Sequence, residues 1–476
     1  MVDETNNQNI ANNGTTATTV QETAVVQTPI TVPVNAENVQ NENTTSATDT
    51  STATAAATQT DAKLNQLHDS ILAANVPQIV TISISYALDL GTSDIHIEAQ
   101  ENQVRIRYRI DGVLREIVEY PSNIHPAVVS RVKIMSNLKI DEQRLPQDGR
   151  AEVTTKDGRE MDLRVSTLPT VNGEKIVMRI QDKSREIPDL PNLGIGGISL
   201  KNIEGALASP NGIIINTGPT GSGKTTTLYS CLRRLNKPEV NILTIEDPVE
   251  IQVDGLSQSQ VHHDIDYDFA SGMRSALRQD PDIIMVGEMR DKETANAAIE
   301  ASLTGHLVFS TLHTNSAVES LTRLINMGIA PYLITSTIEV IIAQRLVRRL
   351  CDKCKKEATP DKDILDLVKN SLDNLYVEGE LDPSLKENLK FYEAGGCKHC
   401  NNVGYKGRTG LYEVLRMNNQ LRNLISENAT MIEIQKVAQE TGMITLEQSG
   451  IIKALEGMTS LEEVYRVASK SEENDK

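Results

Sequence analysis

The sequence predicts an α/β protein whose largest unit is a parallel β-sheet with helices on both faces. Short apolar runs alternate with helix-forming stretches, which is typical of strands buried on both sides. The four runs are Gly212–Thr217, Ile242–Ile245, Ile283–Val286 and Leu307–Thr311. A glycine-rich segment follows the first run directly and leads into a helix-forming stretch. We therefore predict a phosphate-binding loop at the carboxyl edge of this sheet.

The glycine-rich segment has the pattern GxxxxGK[ST]. Its residues are Gly218, Pro219, Thr220, Gly221, Ser222, Gly223, Lys224 and Thr225, with Thr226 next. A strand that turns through glycines into a helix aims several backbone N–H groups and the helix dipole at one anion. In such loops the lysine reaches the β- and γ-phosphates and the threonine hydroxyl ligates Mg²⁺. We expect Lys224 and Thr225 to hold Mg²⁺–ATP.

Acidic residues and a histidine follow the other three runs. They are Glu246, Asp247 and Glu250 after the second, Glu288 after the third and His313 after the fourth. The carboxyl ends of parallel strands share one edge, so these side chains should converge on the phosphates. ATP hydrolysis needs a carboxylate for Mg²⁺ and a group that orients or activates water. Each residue alone is more typical of a solvated loop, but their shared placement predicts a hydrolytic site.

Arg274 and Arg278 lie four residues apart in a helix-forming stretch. This spacing places both guanidinium groups on one helix face. They form either a solvated basic face or a phosphate contact, in the same subunit or across an interface. As a phosphate contact they would neutralise charge in the transition state.

Length and charge limit the function classes. A chain of 476 residues has room for two to four domains. A net charge of −18 argues against a protein that coats nucleic acid, which requires a basic track. The chain lacks the pattern of a signal peptide and has no run of 18 apolar residues. We expect a cytoplasmic protein.

Four of the five cysteines form two CxxC pairs, Cys351/Cys354 and Cys397/Cys400. Two such pairs supply four thiolates for a tetrahedral Zn²⁺ site, although a redox pair is an alternative. A closed set of four thiolates would hold the fold and take no part in chemistry. The fifth, Cys231, is predicted to be a core residue, and His399 within the second pair a bystander.

Composition and pattern divide the chain into five segments. Residues 1–63 are polar, without aromatic side chains, and are predicted to be a disordered tail. Residues 64–185 should form an α+β domain with a hairpin at Asp111-Gly112. Arg105, Arg107 and Arg109 should lie on its outer face, where they are either solvated or face an acidic neighbour or nucleotide. The remaining segments are an ATPase core at 186–345, a tetracysteine subdomain at 346–415 with a helix near 362–375, and a helical subdomain at 416–470.

From about Pro77 to Ala468 the chain resembles the type II secretion and type IV pilus assembly ATPases (GspE/PilB type). The resemblance rests on the phosphate loop, the CxxC pairs and several further motifs. These are Thr92–Glu98, Arg144–Arg150, the acidic box Ile245–Glu250, Leu277–Asp291, the histidine box Gly305–Thr314 and Gly404–Glu413.

The resemblance implies a RecA-like core, a PAS-like N-terminal domain and a homo-hexamer that binds ATP between the two domains. Arg164 and Arg179 match arginines that the N-terminal domain contributes, and Arg274 and Arg278 match arginines of the core. Glu288 matches the Walker B glutamate, and Glu250 the acidic-box glutamate. Sequence alone does not decide between them; we favour Glu250 as water activator and Glu288 on Mg²⁺.

The resemblance further implies a motor on the cytoplasmic face of the inner or plasma membrane. It would act through a platform protein (PilC/GspF type) and, indirectly, on pilin or pseudopilin subunits. Most assembly ATPases carry a further N-terminal docking domain where this chain has its polar tail. The tetracysteine motif, absent from retraction ATPases, favours assembly.

Two other functions fit parts of the sequence less well. A DNA-uptake or conjugative translocation ATPase disagrees with the acidic charge and with a content of no Trp and three Phe. A nucleotide-binding scaffold without turnover would have a broken acidic box or lack the Walker B glutamate, and both features are intact.

Overall fold

The computed structural model describes residues 51–154, 160–182, 186–373, 375 and 389–468. Residues 1–50 of the predicted tail lie outside these ranges. The first helix, α1, covers Ser51–Leu72. Residues 51–63, predicted as disordered, are therefore helical, and that part of the prediction is wrong. The alanines of this segment favour a helix, and Leu67 anchors it in a hydrophobic core.

The N-terminal domain is an antiparallel sheet with helices against one face. Its helices are α1, α2 (Val76–Asp89) and α3 (His125–Met135). Its strands are β1 (Thr92–Ala99), β2 (Gln103–Ile110), β3 (Val113–Pro121), β4 (Gln147–Thr154), β5 (Glu160–Thr170) and β6 (Gly173–Asp182), in the order β3-β2-β1-β6-β5-β4. The hairpin predicted at Asp111-Gly112 joins β2 to β3 and is confirmed. Alternation along the strands buries one face and leaves a polar face opposite.

On the polar face, the arginines of β2 pair within their own sheet. Glu98 lies 2.8 Å from Arg107, 3.0 Å from Lys175 and 3.3 Å from Arg105. Burial alone would raise the pKa of Glu98, but hydrogen bonds from Arg107 and Lys175 outweigh it and lower the pKa to about 2. Of the predicted alternatives for Arg105 and Arg107, the structure supports the acidic neighbour.

The core domain is a seven-stranded sheet in the order β15-β12-β7-β11-β10-β8-β9. The strands are β7 (Gly212–Thr217), β8 (Ile242–Glu246), β9 (Leu256–Gln260), β10 (Ile283–Val286), β11 (Leu307–Leu312), β12 (Ile338–Leu350) and β15 (Tyr405–Arg416). All neighbours run parallel except β15 against β12. The four strands predicted from the apolar runs are confirmed.

Helices cover both faces of this sheet. They are α4 (Gly197–Leu207), α5 (Lys224–Leu235), α6 (Phe269–Ala276), α7 (Lys292–Leu303), α8 (Ala317–Asn326) and α9 (Pro331–Thr337). Ile214 packs with Leu228 and Cys231 of α5, while its neighbour Ile215 belongs to the cluster that contains Ala298 of α7. Successive side chains of β7 thus enter two different cores, and Cys231 is buried as predicted.

The tetracysteine segment is smaller than predicted. Because β12 runs to Leu350 and β15 returns beside it, the segment spans residues 351–404, and the predicted bounds of 346–415 are wrong. An antiparallel strand such as β15 can pair with β12 without a crossover helix, so the sequence contains no helical pattern that predicts this pairing. The segment contains β13 (Lys356–Ala358), β14 (Phe391–Glu393) and α10 (Lys362–Asp373). The helix predicted near 362–375 is confirmed.

The chain continues with four helices. They are α11 (Asn419–Ser426), α12 (Met431–Glu440), α13 (Leu446–Leu455) and α14 (Leu461–Ala468). Gly442 and Gly457 have φ of 108° and 69° and follow α12 and α13, where the left-handed backbone ends each helix. Glu463 of α14 ties this subdomain to β12, since its side chain is fully buried and lies 2.5 Å from Arg348 and 2.7 Å from Arg466.

Within the described ranges, no helix is both long enough and apolar enough to cross a bilayer.

Candidate nucleotide site and tetracysteine site

The glycine-rich segment forms a loop between the end of β7 and the start of α5. Gly218 and Gly223 have φ of 149° and 88°, which a side chain would strain. A Cβ on Gly218 would also lie 2.5 Å from the carbonyl oxygen of Gln344. Gly221 has open space around its missing side chain. The loop therefore needs glycine at positions 218 and 223, and it leaves open space beside Gly221.

Lys224 lies folded back onto this loop. Its Nζ donates to the carbonyl oxygens of Gly218 at 2.7 Å and Pro219 at 3.3 Å. Burial lowers the pKa of Lys224 to about 8, with nearby Arg345 adding to the effect and Glu288 opposing it. The Ser222 hydroxyl is buried without a hydrogen-bond partner among the described residues. An unsatisfied donor and a cation held by weak carbonyl acceptors fit a loop that binds polyphosphate.

Glu288 and His313 meet at the ends of β10 and β11. The His313 Nε2 lies 3.2 Å from a Glu288 oxygen, and Arg290 lies 2.5 Å from the other oxygen. Glu288 also interacts electrostatically with Lys224. Of the five residues predicted to converge on the phosphates, Glu288 and His313 lie together near Lys224. Their contact with nucleotide stays a prediction.

Glu246 is buried, whereas Glu288 is partly exposed. Its side chain accepts hydrogen bonds from Tyr229 at 2.5 Å, Thr244 at 2.6 Å and Gln258 at 3.2 Å, and the residue is 3% exposed. Burial raises the pKa of its carboxyl group. Its predicted contact with nucleotide is unsupported by this geometry. Glu246 instead joins α5 to β8 and β9, while Asp247, the next residue, is partly exposed beside His263 at 3.4 Å.

Glu250 is contacted by the N-terminal domain. Arg164 of β5 lies 3.6 Å from its carboxylate and also approaches the Val249 carbonyl oxygen at 3.5 Å. Gln181 of β6 donates a hydrogen bond to the other Glu250 oxygen. Two of the strands on the polar face of the N-terminal sheet thus hold the acidic box of the core.

Arg179 is occupied within its own domain. Its Nε donates to Asp94 at 2.9 Å, and its side chain is 60% exposed. A cavity of about 470 Å³ lies on this face and is lined by Asp94, Arg164 and Arg179, among other residues. Arg164 and Arg179 therefore line the same cavity, and Arg164 also contacts the acidic box. Their predicted contact with nucleotide stays a prediction.

Arg274 and Arg278 are exposed, but they do not share a helix. Helix α6 ends at Ala276, so Arg278 lies in the turn that follows, and its guanidinium donates to the Arg274 carbonyl oxygen at 2.6 Å. Arg274 pairs with Glu293 at 2.6 Å. The predicted common helix face is wrong, because Asp280-Pro281 follows closely and a residue before proline is disfavoured in a helix.

Sequence reasoning missed two residues of β12 that support the loop. Gln344 is 1% exposed and accepts hydrogen bonds from Asn216 at 3.0 Å and Thr227 at 2.9 Å. Arg345 is 7% exposed and donates to Asn315. The sequence does contain a Gln-Arg pair between apolar residues of Ile338–Leu350. Because buried polar side chains need specific hydrogen-bond partners, this pair could have indicated a structural role.

The four paired cysteines converge as predicted. All four Sγ atoms lie within 4.8 Å of one another, with Cys351–Cys397 at 3.9 Å and Cys354–Cys400 at 3.7 Å. A tetrahedron with Zn–S bonds of about 2.3 Å has S–S edges of about 3.8 Å. Burial would raise the pKa of Cys400, but backbone N–H groups of Cys397 and Gly404 help lower it to about 6. The cluster is compatible with a tetrahedral metal site.

The family model described as Type II/IV secretion system protein matches residues 70–466. The chain belongs to this family. The Type IV pilus assembly ATPase PilB of Myxococcus xanthus is 46% identical over 391 residues, 82% of this chain and 67% of that protein. The Type II secretion system ATPase E of Vibrio cholerae is 46% identical over 398 residues, 84% of this chain and 76% of that protein.

A solved structure of the pilus retraction motor PilT with bound ADP has a TM-score of 0.53 and 27% identity, over 81% of this chain and 95% of that one. The predicted fold, a P-loop α/β core with an α+β N-terminal domain and a tetracysteine insertion, is confirmed. So is the predicted enzyme class: the protein is an ATPase of the secretion and pilus assembly family.

Proposed function

We propose that this secretion ATPase hydrolyses Mg²⁺–ATP to drive assembly of a type IV pilus or a type II secretion pseudopilus. The observation that carries the proposal is the contact of Arg164 and Gln181 with Glu250, which links the N-terminal domain to the catalytic edge of the core. A group that both domains share can couple their relative position to the state of the nucleotide.

The phosphate loop binds the nucleotide in this proposal. Lys224 exchanges the carbonyl oxygens of Gly218 and Pro219 for phosphate oxygens, and the backbone N–H groups of residues 218–225 surround the phosphates. Mg²⁺ would neutralise phosphate charge when bound, and the Thr225 hydroxyl and Glu288 would hold it. His313 orients Glu288 through the 3.2 Å contact.

Glu250 accepts a proton from the attacking water. The water oxygen forms a bond to the γ-phosphorus, the bond from that phosphorus to the β–γ bridging oxygen breaks, and ADP and inorganic phosphate are released. Arg164 first leaves Glu250 for the developing charge on the γ-phosphate, with Arg179 beside it. Arg274 and Arg278 are exposed and would contact phosphate of the same subunit or of a neighbouring one, with Arg274 leaving Glu293.

ATP binding and hydrolysis then change the position of the N-terminal domain relative to the core. ATP draws the N-terminal domain onto the core, and loss of the γ-phosphate releases it. We propose that six copies form a ring, which acts on a membrane platform protein at the cytoplasmic face and, through it, on pilin or pseudopilin subunits. The tetracysteine cluster binds Zn²⁺ and holds the segment 351–404 against β12 and β15.

The experiment compares ATPase rates of the wild-type protein, Lys224→Ala and Glu288→Gln. We expect turnover in the wild type and a loss of about 10²-fold or more in both variants, since each removes charge stabilisation of the transition state. Equal low rates in all three proteins would contradict the proposal and favour a scaffold. Strong stimulation by DNA would favour a translocation ATPase instead.

A further inference from the structure

Strand pairing in the N-terminal sheet sets three arginines side by side. Arg179 on β6 is the direct partner of Arg164 on β5, and Arg164 is the direct partner of Arg150 on β4. Directly paired residues of antiparallel strands point to the same face, with Cβ atoms about 4.5–5.5 Å apart. The three side chains therefore start from a row only two strand spacings wide, about 9.5 Å.

Like charges placed opposite each other destabilise a sheet unless anions compensate them. Arg179 has Asp94 at 2.9 Å, and Arg164 has Glu250 of the core at 3.6 Å. Arg150 is different. It is exposed, and among the described residues its guanidinium has no ion pair or hydrogen bond, even with Asp148 on the same face of β4. Within the part of the chain that the structure describes, Arg150 therefore has its donors unused, although Asp148 on β4 and Asp162 on β5 lie on the same face of the sheet.

The same three arginines line the cavity on this face. The cavity measures about 470 Å³, within the range of about 300–1,000 Å³ typical of small-molecule sites. Its charged lining consists of Arg150, Arg164 and Arg179 with Asp94 and Asp148. Asp94 is already shared with Arg109 at 3.4 Å, so its charge is divided between two arginines. The lining therefore favours an anion.

We propose that Arg150 is a third arginine of the N-terminal domain that contacts the γ-phosphate of ATP when the domains close. The inference rests on the proposed function, which brings the γ-phosphate to Arg164. Arg150 lies one strand away from Arg164 on the same face and has its donors unused among the described residues, so its guanidinium can turn toward the same phosphate group. Arg150 distinguishes ATP from ADP because only ATP carries the phosphate that it contacts.

The test compares Arg150→Ala and Arg150→Lys with the wild-type protein. We expect Arg150→Ala to weaken binding of a non-hydrolysable ATP analogue by roughly 10- to 100-fold, the value of one hydrogen-bonded charge, and to leave ADP affinity within about twofold. The ATPase kcat/KM should fall by a similar factor. Arg150→Lys keeps the charge and should lose less, and a thermal melt checks that both variants are folded.

Arg144→Ala is the matched control. Arg144 belongs to the same segment, is 91% exposed on its side chain and pairs with Glu142 at 3.7 Å, and it does not line the cavity. It should leave both affinities unchanged. Equal affinity of wild-type and Arg150→Ala proteins for the ATP analogue, or an equal loss for ATP and ADP, would overturn the proposal. A wild type without Lys224-dependent turnover would instead overturn the proposed function, and the ATP-to-ADP comparison would still decide the role of Arg150.

Discussion

Lys224 and Glu250 are both held by groups that a nucleotide would replace. The Nζ of Lys224 donates to two loop carbonyl oxygens, and Glu250 is paired with Arg164. Carbonyl oxygens are weaker partners for an ammonium group than phosphate oxygens, because a charged acceptor strengthens the hydrogen bond. We therefore expect both side chains to change partners when ATP binds.

The pKa of Lys224 makes nucleotide affinity dependent on pH. Burial lowers this pKa to about 8, and a bound phosphate would raise it. Lys224 is charged below pH 8, so affinity should be highest there and fall by up to about tenfold per unit as pH rises above 8. Binding of a fluorescent ATP analogue between pH 7 and 9.5 measures the effect.

The control for this titration is Lys224→Arg. Arginine stays protonated throughout the range, so its affinity should be flat above pH 8 even if the absolute value differs. An affinity of the wild-type protein that is equally flat would contradict the role of Lys224.

Glu246 and Glu288 illustrate what the sequence could predict at this scale. Both follow an apolar run, and each run forms a parallel strand as predicted. Glu246 is the last residue of β8, and Glu288 lies two residues after β10. Only Glu288 lies beside Lys224 and His313. Glu246 is covered because Tyr229, Thr244 and Gln258 converge on it, and these contacts come from three different elements. Such long-range contacts leave no local pattern.

At the scale of elements, α14 is fixed by a buried charge. Burial alone would raise the pKa of Glu463, but hydrogen bonds from Arg466 and Arg348 lower it to about 2. A carboxyl group with a lowered pKa stabilises the fold fully above its ordinary pKa of about 4.5, and the stabilisation is lost as pH falls toward 2.

We expect Glu463→Gln to lower the free energy of unfolding by about 3 kcal/mol at neutral pH, because it leaves two arginines without their carboxylate. Glu462→Gln, an exposed neighbour on the same helix, should cost less than about 0.5 kcal/mol. Chemical denaturation of both variants checks this. Equal stabilities would show that the buried pair contributes nothing.

The tetracysteine segment should depend on its metal. We expect about one zinc per chain, and we expect Cys397→Ser to reduce zinc content and to increase amide exchange within residues 351–404. His399→Ala is the control, because His399 lies in the same CxxC pair but contacts Lys406 at 3.3 Å. Full zinc retention in Cys397→Ser would contradict a four-thiolate site.

Some secondary-structure elements could be predicted from the sequence and others could not. The CxxC spacing was enough to predict the cluster, because the ligand chemistry is local to each pair. The return of β15 to the core sheet was not predicted, since an antiparallel edge strand can pair across any length of inserted chain. The helical segment 51–63 was missed because composition indicated a polar tail, whereas Leu67 anchors the helix that begins there.

At the scale of the whole molecule, the N-terminal domain contacts the core at Glu250, and the proposed function depends on this contact. The sequence predicted the phosphate loop and the strand ends of the core from their local patterns. It could not predict from pattern alone that Gln181 contacts Glu250, or that Arg150, Arg164 and Arg179 align. Those relations depend on strand register and on domain packing, which join residues far apart in the chain.

The most direct measurement of the central claim is a structure of the protein with Mg²⁺ and a non-hydrolysable ATP analogue. We predict that Lys224 contacts the phosphates, Glu288 approaches the metal, and Arg164 leaves Glu250 for the γ-phosphate, with Glu250 facing the position of the attacking water. A nucleotide-bound structure in which Lys224 still contacts the carbonyl oxygens of Gly218 and Pro219 and Arg164 still pairs with Glu250 would contradict the account.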